Sequence, residues 1–151
     1  MLRKILLCID GEEHTEKAEG YAISLAKLAN AELYALHVID QWLLSRNISH
    51  EIFAAGRDEY ISYVKGELSK QAEEIVSRFL KKAEENGVEA KIRIREGTPA
   101  KEILAEVNSG DYDLVILGGK SYKSKLERLK SYRTPEKVLE KISTPLLVVK
   151  G

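Results

Sequence analysis

The chain has 151 residues, enough for a single domain, spanning residues 1–151, to bury a core without disulfides or a structural metal. Its 24 basic and 24 acidic side chains cancel, so no global field draws it to nucleic acid or to an anionic membrane, and any electrostatic function has to be local. The lone cysteine, Cys8, rules out an internal disulfide, no apolar run is long enough to span a membrane, and Met1-Leu2-Arg3-Lys4 does not lead into a signal peptide; the expected location is cytoplasmic.

Ile5-Leu6-Leu7-Cys8-Ile9, stopped by Asp10-Gly11, is a continuous apolar run, as in a strand covered on both faces. Within it Cys8 reads as a small buried hydrophobe, not a redox thiol. From residue 15 to 29 the apolar positions Ala18, Tyr21, Ala22, Leu25, Leu28 and Ala29 take helical spacing, with Asn30 as the end. Residues 33–39 form a second strand closing on Asp40, and His37 inside it reads as a hydrogen-bonded core residue. Residues 41–56 have no period and are expected to loop over the sheet edge, with Trp42, Leu43 and Leu44 as a cover. A long helix over about 58–85 buries Ile61, Val64, Leu68, Ala72, Ile75 and Phe79, and Gly87 supplies a left-handed residue at its end.

Residues 88–95 alternate Val88, Ala90, Ile92 and Ile94 with Glu89, Lys91, Arg93 and Arg95, the pattern of an edge strand with one polar face. Thr98 caps and Pro99 opens a helix with Ile103, Leu104 and Val107 as its stripe, stopped at Asn108-Ser109-Gly110. The fourth strand, residues 114–117, runs into Gly118-Gly119. A cationic loop follows, with Lys120, Lys123, Lys125, Arg128, Lys130 and Arg133. Thr134-Pro135 then repeats the cap-and-proline start for a short helix carrying Val138, Leu139 and Ile142, and Thr144-Pro145 turns into the last strand, Leu146-Leu147-Val148-Val149.

Strand–helix alternation throughout predicts an α/β fold: an open five-stranded parallel sheet with helices on both faces. Right-handed crossovers and the alternating third strand, which belongs at an edge, select the order 3-2-1-4-5. The strand order then reverses between the first and fourth strands, which end at Asp10 and Gly118, and ligands of such sheets bind there. A buried strand closing on two glycines, followed by cationic chain and a helix start, is a place to hold an anion.

Four stretches, KILLCID, LHVID, REGTPAKEIL and DYDLVILGGK with the closing STPLLVVKG, together resemble the universal stress protein family over nearly the whole chain. The resemblance implies a Rossmann-like fold of the adenine nucleotide alpha hydrolase type and a homodimer paired through the last strand, Leu146 to Val149. In some members ATP sits at the switch point under a Gly-x-x-Gly-x9-Gly-Ser/Thr motif, whose glycines let phosphate oxygens reach backbone N–H groups. Here that motif is degenerate. Counted from Gly118 its second and third glycines are Ser121 and Ser131, and counted back from TPLLVV they are Tyr122 and Tyr132. The resemblance carries a nucleotide site onto Ile9, Asp10, Val38, Gly118 and Gly119. Lys120, Ser131, Arg133 and Thr134 stand as side-chain substitutes for the lost backbone contacts. Asp10 reads equally as an acceptor for base or sugar and as a cap for the turn after it. The ligand so implied is ATP or AMP with Mg, or none.

No nucleophile–base pair, Gly-x-Ser-x-Gly elbow or metal-spaced histidine set is present, and His14, near the first helix start, reads as a surface residue in preference to one that reaches the crevice. Gly118-Gly119-Lys120-Ser121 mimics the end of a Walker A motif without its first glycine. The chain is therefore expected to be a stress-associated binding or signalling module, without catalysis, that holds an adenine nucleotide at the switch point. The alternative is a nucleotide-free module that recognises an acidic protein surface through the cationic loop 119–133. A weak ATP hydrolase comes last, because no residue is placed to orient water.

Overall fold

The computed structural model describes residues 1–41, 57–130 and 132–151, and at residues 57, 58, 60, 61 and 130 the backbone only. In chain order the elements are β1 (Lys4–Cys8), a 3-10 turn (Glu13–Thr15), α1 (Glu16–Ala29), β2 (Glu32–Asp40), α2 (Arg57–Glu85), β3 (Ala90–Gly97), α3 (Pro99–Ser109), β4 (Leu114–Gly119), α4 (Lys125–Lys130), α5 (Thr134–Lys141) and β5 (Leu146–Lys150). The strands pair parallel in the order β3-β2-β1-β4-β5, as expected. Trp42, Leu43 and Leu44, expected as an edge cover, lie outside the described residues.

The continuous apolar runs make sense because the sheet is covered twice. Alternate residues of one strand point to opposite faces, so both sets must be apolar. Ile5, Leu7, Leu33, Ala35 and Ile116 pack against Ala18, Ala22 and Ala26 of α1 and Val76, Phe79 and Ala83 of α2. Leu6, Leu36, Val115 and Leu117 pack on the other side against Ala100, Ile103 and Val107 of α3 and Val138 of α5.

The buried stripe of α1 is narrower than its apolar positions suggest. Ala18, Ala22, Ile23 and Ala26 are buried, while Tyr21 and Leu28 are exposed, because an alanine ridge seats the helix close to the sheet and leaves larger neighbours outside the contact. Gly87 takes the expected left-handed conformation at φ 75°, and Asn30, expected as a helix end, is left-handed as well at φ 51°. The start of α5 differs from expectation: Arg133, at φ 51°, is its N-cap, and Thr134 is already the first helical residue.

The polar side of β3 faces α3, not bulk water alone. Arg95 donates from Nε to Glu106 Oε1 at 3.0 Å and from Nη1 to Glu102 Oε1 at 3.5 Å, and the Tyr112 hydroxyl donates to Glu106 Oε2 at 2.7 Å. Glu106 is buried within α3, so these contacts replace the water it loses. Burial alone would push its carboxyl up. The Tyr112 hydroxyl, the Arg95 guanidinium and the Arg93 charge overcome that and hold it below the usual carboxylate range.

The cationic loop contains a helix that its charge pattern conceals. Ser124 Oγ accepts the Glu127 N–H at 3.1 Å, and Glu127 Oε2 accepts the Lys123 N–H at 2.9 Å. The Ser124 bond has the i to i+3 spacing of an N-terminal cap, and the Glu127 carboxylate closes the same turn on the residue before Ser124, which together start α4. Leu126 and Leu129 are left exposed on it.

Candidate functional site

A cleft of about 570 Å³ opens at the C-terminal ends of β1, β2 and β4, at the switch in strand order. Its floor is apolar, with Ile9, Leu36, Val38 and Leu117 from the sheet. Leu68, Gln71 and Ile75 of α2 close one side, and Pro99 and Ile103 of α3 the other. Tyr122 and Tyr132, which take the motif's glycine positions in one of the two registers, also stand in its lining.

Six of the nine residues named from sequence meet in this cleft: Ile9, Asp10, Val38, Gly118, Lys120 and Thr134. Gly119 does not. A Cβ built there would sit 2.9 Å from Val148 Cγ1, so that residue faces β5. Arg133 is not in the lining, and Ser131 lies outside the described residues. Of the basic side chains in the loop, Lys120 alone lines the cleft among the described residues; Lys123, Lys125 and Arg128 do not. The expectation of a cradle built from the whole cationic run is therefore not met. Helix α4 and the turn before it carry most of that charge away from the strand ends.

Asp10 performs the capping role that sequence reasoning held in balance with binding. Its Oδ1 accepts the Glu12 N–H at 2.8 Å, and the Thr15 hydroxyl lies 3.1 Å from the same oxygen and 2.8 Å from Glu12 O. Its Oδ2 is 3.5 Å from His14 Nε2. His14 is half-buried and lines the cleft, the less favoured of its two sequence readings. Its position follows from the 3-10 turn, which folds back over Gly118: a Cβ at 118 would meet Thr15 Cγ2 at 2.8 Å and Thr15 Cα at 3.0 Å. No helical or strand period in the sequence marks that turn.

Asp10, Glu12 and His14 bring one ligand atom each to within 4.8 Å of one another. Two carboxylates and an imidazole suit a divalent transition ion better than Mg, which prefers an all-oxygen octahedron. With Asp10 Oδ1 already engaged in the turn, the cluster is explained by local folding.

His37 is buried, and its Nδ1 lies 2.9 Å from Ile9 O, as expected of a hydrogen-bonded strand histidine. Cys8 is half-buried and reaches the cleft. Burial, then the nearby Asp10 and Glu106 charges, push its thiol up, so it stays protonated and inert. Asp40 closes β2 and brings a second strand-end carboxylate to the cleft mouth.

The model of the universal stress protein family matches residues 1–150. Universal stress protein MJ0531 of Methanocaldococcus jannaschii is 33% identical over 150 residues, covering 99% of this chain and 83% of that relative. The chain belongs to the universal stress protein family. Among solved structures, the hypothetical protein MJ0577 superposes with a TM-score of 0.79 at 27% identity, over 100% of this chain and 97% of that one. The universal stress protein from Archaeoglobus fulgidus in complex with dAMP superposes with a TM-score of 0.64 at 18% identity, over 99% of this chain and 100% of that one. This universal stress protein thus shares the fold of those structures and has a cleft at its own switch point, while its glycine motif remains degenerate. Among the described residues, no helix is long and apolar enough to cross a membrane.

Proposed function

We propose that this universal stress protein is a stress-associated binding module that holds an adenine nucleotide, AMP more readily than ATP, in the switch-point cleft. The observation that carries the reading is the cleft itself. Its volume of about 570 Å³ lies inside the range of small-molecule sites, and its floor is apolar with polar groups at the rim. The base would lie on Ile9 and Val38, the ribose near Asp10 and Asp40, and the phosphate at Lys120 and Thr134. Gly118 lets the turn at Thr15 pack closely on the end of β4, which shapes that wall of the cleft. One lysine at the rim matches one phosphate better than three, and a polyphosphate would bring Mg into the company of Asp10 and Glu12. The dAMP complex of the Archaeoglobus fulgidus protein, with the same fold, supports the ligand class.

Calorimetry with adenosine, AMP and ATP, with and without Mg, tests this reading. Heat and thermal stabilisation are expected with AMP, and their absence at millimolar nucleotide would sink the proposal. Lys120→Ala should weaken AMP about fivefold, as expected for about 1 kcal/mol from one exposed charged contact, and leave adenosine unchanged. Equal losses for both would show that Lys120 does not read phosphate.

We also propose a homodimer through β5. Among the described residues that strand has a neighbour on one side only, and it leaves Val148 exposed, whereas the opposite edge, β3, is blunted by Lys91, Arg93 and Arg95. A second reading of the loop keeps one observation in its favour. Leu126 and Leu129 lie exposed one turn apart among basic residues, a face suited to an acidic, partly apolar protein surface.

A further inference from the structure

The loop charge that misses the cleft is gathered around exposed leucines. Between positions 119 and 133 the chain has six basic side chains and one acidic one, while over the whole chain the two signs cancel, so the rest of the molecule is acidic by the same excess. The fold keeps this separation. Lys123, Lys125 and Arg128 are exposed and stand outside the cleft lining. Helix α4, which carries two of them, packs closely on no other element among the described residues. Its apolar side chains face outward as well: Leu126 is 61% exposed and Leu129 77%. Three apart on a helix, they share one face. Glu127, the one acidic residue, lies farther round the helix, and its Oε2 is held by the Lys123 N–H at 2.9 Å.

We infer that α4 is a membrane-docking element: Leu126 and Leu129 insert below the headgroups of an anionic lipid bilayer while Lys123, Lys125 and Arg128 meet the lipid phosphates. This goes beyond the nucleotide reading and uses none of its residues. The size of α4 decides between a lipid surface and the acidic protein considered above. Its six residues make a helix about 9 Å long with two apolar anchors. A helix bound in a protein groove is read at a further anchor a turn on, at i+7, and a specific protein interface buries about 800 Å² on each partner. α4 is too short for the first and too small for the second. A bilayer needs no shaped pocket, and leucines on one face of a helix with cations beside them suit its interface. The charge separation of the whole molecule acts in the same direction. An anionic plane attracts the α4 end and repels the acidic remainder, which orients the approach.

The test is co-sedimentation of the full chain with vesicles of phosphatidylcholine alone and of equal parts phosphatidylcholine and phosphatidylglycerol. Binding is expected to the anionic vesicles only, with release at about 1 M salt, where charges are screened beyond about 3 Å. Replacing Lys123, Lys125 and Arg128 together by Gln should weaken binding about a hundredfold, at about fivefold for each charge lost near the surface. Leu126→Gln with Leu129→Gln should weaken it about tenfold or more, because two side chains no longer leave water, and Gln keeps the helix propensity. Leu28→Gln, at a still more exposed leucine on α1, should change nothing. Insertion is read separately with Leu126→Trp: bromines on the acyl chains should quench its fluorescence beyond the quenching seen in the wild type, whose one tryptophan is Trp42. No binding to the anionic vesicles overturns the inference and returns this face to the acidic-protein reading. Equal binding to both kinds of vesicle overturns it as well, since charge then selects nothing. Binding that survives the paired leucine substitution, or a tryptophan at 126 that the bromines do not quench, shows that α4 does not insert and overturns it too.

Discussion

Replacing Gly118 with alanine separates two reasons for a glycine at the end of β4. One is ligand approach; the other is packing against the chain's own turn. The new Cβ would lie 2.8 Å from Thr15 Cγ2, 3.0 Å from Thr15 Cα and 3.3 Å from His14 O. Two of those three atoms are backbone, so a rotamer change in Thr15 relieves only the first contact. The turn cannot easily retreat, because the Thr15 N–H donates to Glu12 O at 3.1 Å and its hydroxyl is held between Glu12 O and Asp10. Gly118 is not among the positive-φ residues, so sterics alone set the cost. Overpacking of this kind destabilises by about 1–3 kcal/mol. For a chain of this length that lowers Tm by about 2–12 °C. Thermal and urea unfolding without nucleotide measure it directly. If Gly118→Ala unfolds as the wild type does and loses only AMP binding, the packing argument is wrong and the glycine serves the ligand.

The ion-pair cluster behind β3 makes a different prediction. Glu106→Gln removes the charge that Arg95 and Arg93 face, and should cost about 1–3 kcal/mol, less than a fully enclosed pair because Arg95 is partly open to water. Since the Glu106 carboxyl is held below its usual range in the fold, its contribution is complete above the unfolded value of about pH 4.3 and is lost as pH falls through the lower folded value. The wild type and Glu106→Gln should therefore converge in stability in acid, and a gap that stays constant to about pH 2 would contradict the charge argument. The β5 pairing is checked by solution mass and by Val148→Lys, which should convert a dimer to a monomer; a monomeric wild type removes the proposal.

The strand order was legible because burial on both faces leaves an unmistakable mark: Ile5-Leu6-Leu7 has no polar position to assign to a face. The alternation of β3 likewise placed it at an edge. What escaped was the set of contacts in which polar residues satisfy one another. Glu106 reads as solvent-facing in a helix pattern, and only the partners Arg95 and Tyr112, eleven residues before it and six after, make its burial affordable. Helix α4 hid for the opposite reason. Its Ser124–Glu127 start signal is present in the sequence, but the surrounding lysines draw attention to charge. His14 and Thr15 reach the cleft through a 3-10 turn whose direction depends on a glycine more than a hundred residues away, and no local period records that.

Charge concentrated along a sequence is not charge concentrated in space, and the cleft follows from that difference. The loop after β4 folds into α4 and turns at Arg133, so among the described residues only Lys120 reaches the lining. Parallel strands, in contrast, deliver their C-terminal residues to one place, and there the chain puts Asp10 and Asp40, with Glu12 on the following turn. The rim is thus acidic along β1 and β2 and basic at β4. A ligand that lies across it needs hydroxyls or amines at one end and a single anion at the other, which describes a nucleoside monophosphate. A triphosphate would extend more negative charge past one lysine toward carboxylates, and the repulsion is lifted only if a divalent cation comes with it. In the nucleotide titration, AMP binding should therefore be indifferent to Mg and ATP binding should depend on it; ATP binding as tightly as AMP without Mg would mean that the carboxylates do not face the phosphates.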